Sequence, residues 1–219
     1  MNTLIVKYDI PLSLKDIPQF RGAILTILPD SDNVYFHNHN DEKLRYSYPL
    51  IQYKCIDGLA SIVFVGEGTK FVGSLFSECK NLVQIGKKDV KLDVLSINYG
   101  KQEISKVSSA VTYVLKAWLP LNKNNFNEYH TLKRLSDKCS FLEKILIGNV
   151  LSLAKGIDIN IDFNLEVEIT DLQQYNIKYK DIELIAFDIE FLCNAELPEQ
   201  IGLGKSVSKG YGMLTKKIY

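Results

Sequence analysis

The alternation of apolar and polar residues along this chain falls into two similar blocks. Residues 3 to 9, TLIVKYD, alternate as a first strand. In DIPQFRGAILTIL the apolar positions change period. Ile17, Phe20, Ile24 and Ile27 or Leu28 fall on one helical face. Asp16 is placed to cap that helix, with Gln19 three residues on and Pro18 in the first turn, where its missing N–H costs little. YPLIQYKCI and ASIVFVG then read as two strands joined by Asp57-Gly58, a strong hairpin signal. Residues 69 to 79 suit a short helix, and VKLDVLSINYG a closing strand.

The second block repeats the order. SSAVTYVLKAWLPL is a strand, and residues 126 to about 155 are helical with a break near Ser136. Ser140 and Glu143 form a capping-box pattern before FLEKILIGNVLSLAK, and Gly156 is a natural stop. LEVEITDL alternates as a half-buried strand should. IELIAFDIEFLCNAEL is a long apolar strand, ELPEQIGLGKSVSKG a loop in the second helix slot, and YGMLTKKIY the last strand. Each block is thus β-α-β-β-α-β, and the fold class predicted is α+β, two tandem ferredoxin-like (RRM-like) domains. The boundary lies in GKQEISKV, dividing the chain into residues 1–103 and 104–219.

Composition narrows the picture. Of 219 residues 46% are hydrophobic, enough to bury a core in each block. With 26 basic and 26 acidic residues, the chain is no polycation that coats nucleic acid, so any such role needs a confined basic track. Cys55, Cys79, Cys139 and Cys193 are far apart in apolar surroundings and make no C-x-x-C pair, the habit of free thiols in a reducing compartment. MNTLIVKYDI reads as a strand rather than a signal peptide, and no run reaches the roughly 18 apolar residues of a membrane span. These features predict a soluble, cytoplasmic protein with no membrane contact.

Two stretches stand out chemically. VYFHNHN, residues 34 to 40, holds two of the three histidines. If it is extended, His37 and His39 share a face, with Asn38 opposite. Imidazoles titrate near neutrality, so the pair could serve as general base and acid. The same spacing suits two metal ligands, but zinc wants a third, and His130 lies in the other block. Two polar residues on a wet strand is the plain alternative. GLGKSVSKGYG, residues 202 to 212, has four glycines and two lysines. Glycine lets backbone N–H groups approach a phosphate, and Lys205 and Lys209 add charge. From residue 200 onward there are four lysines and no acid. It is no Walker loop: Glu199 occupies the place of the first glycine, and a strand follows instead of a helix. A flexible hairpin-like loop competes with phosphate binding.

A doubled ferredoxin-like chain with a G-x-G-x-x-x-x-x-G-[FY]-G loop before its last strand resembles the RAMP superfamily of CRISPR-associated proteins. The loop here runs Gly202, Gly204, Lys205, Ser206, Lys209, Gly210, Tyr211, Gly212. Arg21-Gly22, FHNHN, RYSYPLIQYK at 45 to 54 and the following G-x-x-x-I-V resemble one branch of CRISPR repeat endoribonucleases, which cut precursor CRISPR RNA within repeats. The resemblance implies metal-independent cleavage by 2′-hydroxyl attack, with no cofactor, leaving a 2′,3′-cyclic phosphate and a 5′-hydroxyl. It implies catalytic roles for His37, His39 and Tyr46, and RNA contacts by Arg21, Arg45, Gly202, Gly204, Lys205, Ser206, Lys209 and Gly210. A lysine found before the histidines in some relatives would fall at Pro29 or Asp30, leaving Arg21, Lys43 or Arg45 to steady the phosphorane. The partners implied are CRISPR repeat RNA, effector-complex subunits and a second copy of the chain. The alternatives are a non-catalytic RNA-binding subunit of an effector complex and a metal-dependent hydrolase.

Among weaker candidates, His130 reads as an exposed helix residue and Trp118 as core. Tyr46 and Tyr48 share a face opposite Tyr53, so at least one of them packs. Lys133 and Arg134 read as a solvated basic helix face.

Overall fold

The computed structural model describes residues 1–28, 36, 39–40, 43–44, 48–77, 82–179 and 182–218, with backbone alone at 39, 40, 43, 44 and 179. Cys79, Pro29 and Asp30 lie outside the described residues. The chain divides into two compact units. The first is Met1–Gln102 with Ser208–Gly210, the second Glu103–Val207 with Tyr211–Tyr219. Both are ferredoxin-like.

In the first unit β1 (Asn2–Pro11) leads through a 3-10 turn, Leu14–Asp16, into α1 (Ile17–Leu25). Two short strands, β2 (His39–Asn40) and β3 (Lys43–Leu44), pair with each other. β4 (Ile51–Ile56) and β5 (Leu59–Val65) form the hairpin signalled by Asp57-Gly58, whose φ angles of 53° and 77° are those of a left-handed turn. A 3-10 segment, Gly66–Phe71, and a single turn, α2 (Ser74–Ser77), come next. The small hairpin β6 (Leu82–Ile85) and β7 (Lys88–Lys91) precedes β8 (Val94–Lys101). The main sheet has the order β4-β5-β1-β8, all antiparallel.

The apolar stripe of α1 lands where the periodicity put it. Ile17, Phe20 and Ile24 are completely buried, and Phe20 meets Tyr8 and Tyr53 edge-on, each at 5.9 Å. Edge-to-face pairs of this kind add about 1 kcal/mol each to the area they bury. The cap differs from expectation. The Asp16 side chain does not bond the helix N-terminus but accepts from Ser13 Oγ at 2.5 Å. The predicted closing strand over 90–100 is interrupted at Leu92-Asp93, because its first residues turn back through Gly86-Lys87 to pair with Leu82–Ile85.

In the second unit β9 (Ser105–Trp118) is followed by α3 (Lys123–Thr131) and α4 (Leu135–Gly156). β10 (Val167–Tyr179), β11 (Ile182–Glu196) and β12 (Met213–Lys216) complete the order β10-β11-β9-β12. The helical break is at Leu132–Arg134, earlier than Ser136, so Ser140 lies inside α4. The capping box expected there is therefore not one: the Glu143 carboxylate accepts the Ile169 N–H instead, at 2.9 Å, tying α4 to β10. The capping box that exists is at Asn122, which accepts from Asn124 and Asn125 and starts α3. α4 stops at Gly156, yet the left-handed residue that redirects the chain is Asp158, φ 56°. Leu142, Leu146, Val150 and Leu153 form the buried face of α4. Trp118 is core, edge-on to Phe187 at 6.3 Å. Lys133 and Arg134 are exposed in the link between the helices, not on a helix face. No helix among the described residues is long and apolar enough to cross a membrane.

The first sheet is buried on both faces at its centre. Opposite the α1 side lie Gln52, Lys54, Ser61 and Val63, all at 0% exposure. An ammonium there is disfavoured by lost hydration, and burial pulls the Lys54 pKa down to about 7.

Two outcomes are expected. Gly58 has open space around it, so Gly58→Ala tests only the backbone, and its positive φ should cost about 1 kcal/mol in urea unfolding. The unfolded chain keeps Lys54 protonated to about pH 10.4, the folded chain only to about 7. Between these values the unfolded state binds the extra proton, so stability attributable to Lys54 rises with pH. Urea midpoints of wild type and Lys54→Met should therefore converge from pH 7 to 9; parallel curves would refute the assignment.

Candidate RNA interface and catalytic edge

The glycine-rich stretch is not a loose hairpin. It is a packed crossing built against the end of β9. Ala117 takes a left-handed φ of 51°, held there by Asp188, whose carboxylate accepts from the Ala117 N–H at 2.8 Å. Lys116 Nζ and the Tyr175 hydroxyl also donate to Asp188, each at 2.9 Å. Partial burial opposes ionisation of Asp188, but these donors outweigh it and hold the carboxyl below its ordinary value. The kinked Ala117 then offers its carbonyl to the Gly212 N–H at 3.0 Å. Leu203 N–H donates in turn to the Gly212 carbonyl at 2.8 Å.

Glycine is required here by close approach. A Cβ on Gly212, φ 64°, would overlap the Leu203 carbonyl oxygen. A Cβ on Gly204, φ 90°, would sit 2.7 Å from Trp118 Nε1, which donates to Asn149 Oδ1. Gly210, φ 92°, groups with the first unit, where a Cβ would overlap Ile17 Cδ1. Gly202 forms a single bridge to Met213. Three of the four glycines therefore have packing reasons for being glycine, beyond any access they give to a phosphate.

The cations of this region are arranged unevenly. Lys205 N–H donates to the Leu119 carbonyl, and Lys205 Nζ to the Leu121 carbonyl at 2.5 Å. Partial burial lowers its pKa. Ser206 follows in the left-handed region, φ 55°. Beside them is a cavity of about 410 Å³ whose lining includes Leu121, Phe126, Ile182 and Leu184, with Lys205 and Ser206 at its wall. Lys209 closes a 3-10 turn, Val207–Lys209. The other two lysines of the C-terminal run are compensated: Lys216 pairs with Glu196 at 2.9 Å and Lys217 with Glu190 at 2.7 Å. The uninterrupted basic terminus read from the sequence is thus reduced in space, because its counter-charges come from β11.

In the first unit, Arg21 sits on α1 with its guanidinium carbon 5.8 Å from the Tyr53 ring centroid. Tyr53 is fully buried, so it is the packing member of the tyrosine set, and burial raises its hydroxyl pKa. Tyr48 is half-buried and accepts from Gln52 Nε2 at 2.8 Å. Lys209 and Gly210 group with this unit, with Gly210 packed on the start of α1. The backbone of His39 lies in β2, opposite Leu44 of β3. His37, Arg45 and Tyr46 lie outside the described residues. His130 is exposed on α3, its Nδ1 2.8 Å from the Phe126 carbonyl oxygen. Among the described residues no three of His, Cys, Asp and Glu gather as metal ligands.

Sequence reasoning missed Asp188, Asn149 and the Ala117 kink, which together shape the glycine crossing. The only trace of them is Asp188 interrupting the apolar run of β11.

Comparison with known proteins agrees across the whole chain. Residues 1–104 match the family model described as Cas6b N-terminal domain, and residues 106–217 the one described as Cas6b C-terminal domain. An uncharacterized protein of Methanocaldococcus jannaschii is 34% identical over 116 residues, 52% of this chain and 78% of that one. A crystal structure of Cas6b aligns over 99% of both chains at 28% identity and a TM-score of 0.89. A crystal structure titled CRISPR RNA processing endoribonuclease Cas6b aligns over 99% of this chain and 100% of that one, at 26% identity and a TM-score of 0.75. With both halves matched in sequence and the same doubled fold throughout, the chain belongs to the Cas6b family.

Proposed function

We propose that this chain is an endoribonuclease that cuts precursor CRISPR RNA within its repeats, without a metal ion, to release mature guide RNAs. The observation that carries the reading is the full-length similarity, in sequence and fold together, to a protein described as a CRISPR RNA processing endoribonuclease. The division of labour follows the two halves. Residues 1–103 carry the histidine pair, and residues 104–219 carry the glycine-rich crossing.

The chemistry needs three things: a base for the 2′-hydroxyl proton, an acid for the departing 5′ oxygen, and charge near the five-coordinate phosphorus. His37 and His39 take the proton roles, since imidazole exchanges protons near neutral pH. Tyr46 donates a hydrogen bond to a non-bridging oxygen, and Arg45 or Arg21 supplies positive charge. The products are a 2′,3′-cyclic phosphate and a 5′-hydroxyl. No cofactor enters the scheme. Lys205, Lys209, Ser206 and the backbone at Gly202, Gly204 and Gly210 hold the RNA backbone, a contact that weakens steeply with salt. The cytoplasm is the site of action, and effector-complex subunits and a second copy of the chain are further partners.

Incubation with repeat RNA in EDTA should leave cleavage intact and yield a 2′,3′-cyclic phosphate end. His37→Ala and His39→Ala should each slow single-turnover cleavage by about 100-fold or more while binding changes little. Cleavage lost in EDTA and restored by zinc or manganese would point to the metal-dependent alternative. RNA that is bound but never cut would point to a non-catalytic subunit.

A further inference from the structure

Where β9 turns off at its kink, the hairpin of β10 and β11 runs on. Among the described residues β11 pairs with β9 only from Phe187 onward, so residues 182–186 are backed by β10 alone. The start of α3 lies across from this overhang, and the cavity of about 410 Å³ is the space between them, with Leu119 and Leu121 of the chain leaving β9 also on its lining. That volume is in the range of about 300–1,000 Å³ usual for small-ligand sites.

Its walls combine two chemistries. One is apolar and open to solvent, with Phe126 at 42% exposure and Ile182 at 63%. The Phe126 ring is held in place: it packs on His130 with centroids 4.2 Å apart, and His130 Nδ1 lies 2.8 Å from the Phe126 carbonyl oxygen. The other is cationic. Lys205 Nζ spends one of its three hydrogens on the Leu121 carbonyl, and Lys123 lines the cavity from the first turn of α3. Glu183 is also on the lining, but it stands directly opposite Lys178 in the β10–β11 ladder, which offsets its charge. A ligand matched to this slot has a flat apolar body and an anionic tail. A nucleotide has both, since every base offers a π-face to an aromatic ring and carries a phosphate beyond its sugar. An aliphatic side chain of a protein partner would leave the two lysines without an anion.

We propose that this cavity takes one unpaired nucleobase of the bound RNA, stacked on Phe126, with its phosphate held by Lys205 and Lys123. The assignment rests on the RNA-binding reading of the chain. It adds base stacking to the backbone contacts of the glycine-rich crossing. Asn122 spends its carboxamide oxygen on the cap of α3, which leaves Ser206 and Glu183 as the polar side chains able to meet a base edge. Stacking therefore supplies most of the affinity, and the slot registers that a base is free rather than which base it is. A base inside a duplex cannot enter, so the site selects RNA with an unpaired nucleotide at a fixed place along the repeat.

The test is binding of repeat RNA to the full chain, with 2′-O-methyl sugars to prevent cleavage and with one base removed at a time. At one position, loss of the base should weaken binding to wild type about tenfold. Phe126→Ala should weaken binding of intact RNA by a similar factor, and at that position alone base removal should then cost no more than about twofold further. Phe126→Trp should restore affinity, and its fluorescence should be quenched by intact RNA but not by RNA lacking that base; Trp118 is fully buried and serves as background. RNA bound tightly with no position that depends on Phe126, or an equal loss at every position, overturns the slot and leaves the endoribonuclease reading standing. Repeat RNA that wild type does not bind at all overturns both.

Discussion

The C-terminal half is organised around one backbone kink. Ala117 is forced left-handed at the end of a long strand, a conformation that costs an alanine about 1 to 2 kcal/mol. It is held by a half-buried carboxylate, Asp188, which also binds Lys116 and Tyr175. The kink aims one carbonyl at Gly212 and so fixes where the last loop crosses β9. Once the crossing is fixed, the side chains at 204 and 212 must vanish, because Trp118 and the Leu203 carbonyl already occupy the space. The glycine pattern is therefore the imprint of a tight backbone crossing. Whatever Lys205 and Ser206 do, they do it from this tightly packed crossing.

That frame explains which parts of the molecule could be read from the sequence. Elements defined by their own periodicity were legible: the α1 stripe, the Asp57-Gly58 hairpin, the alternation of β10, the apolar length of β11. The doubled topology followed from their order. What failed were polar residues judged by spacing alone. Ser140 and Glu143 match a capping box in letters, but the helix had already begun at Leu135, and Glu143 was free to reach β10. Asp16 has the right place for a cap, but Ser13 takes its carboxylate. A short polar side chain has several partners within reach, and which one it meets is decided by tertiary contacts that spacing does not encode.

The candidate site divides along the same line. Its composition was legible: two histidines at one-residue spacing and a glycine-lysine loop. The electrostatics were not. Four lysines without an acid look like a basic patch along the chain, but Lys216 and Lys217 meet Glu196 and Glu190, which arrive from a strand twenty or more residues earlier. Likewise Lys54, within the YPLIQYK motif, looks like a surface cation and is wholly buried.

The pairing of those lysines changes how a polyanion would be recognised. A chain with 26 charges of each sign cannot rely on its net field. Where lysines are matched locally by carboxylates, each must exchange one anion for another to bind phosphate, and the gain is small. Affinity in the second unit would then rest on groups held in place beforehand: Lys205 clamped to the Leu121 carbonyl, and backbone N–H groups at a tightly packed crossing. Such a surface would gain little from random phosphate contacts and more from a polyanion of one shape. A neutral protein built this way would discriminate by geometry and not by its net field.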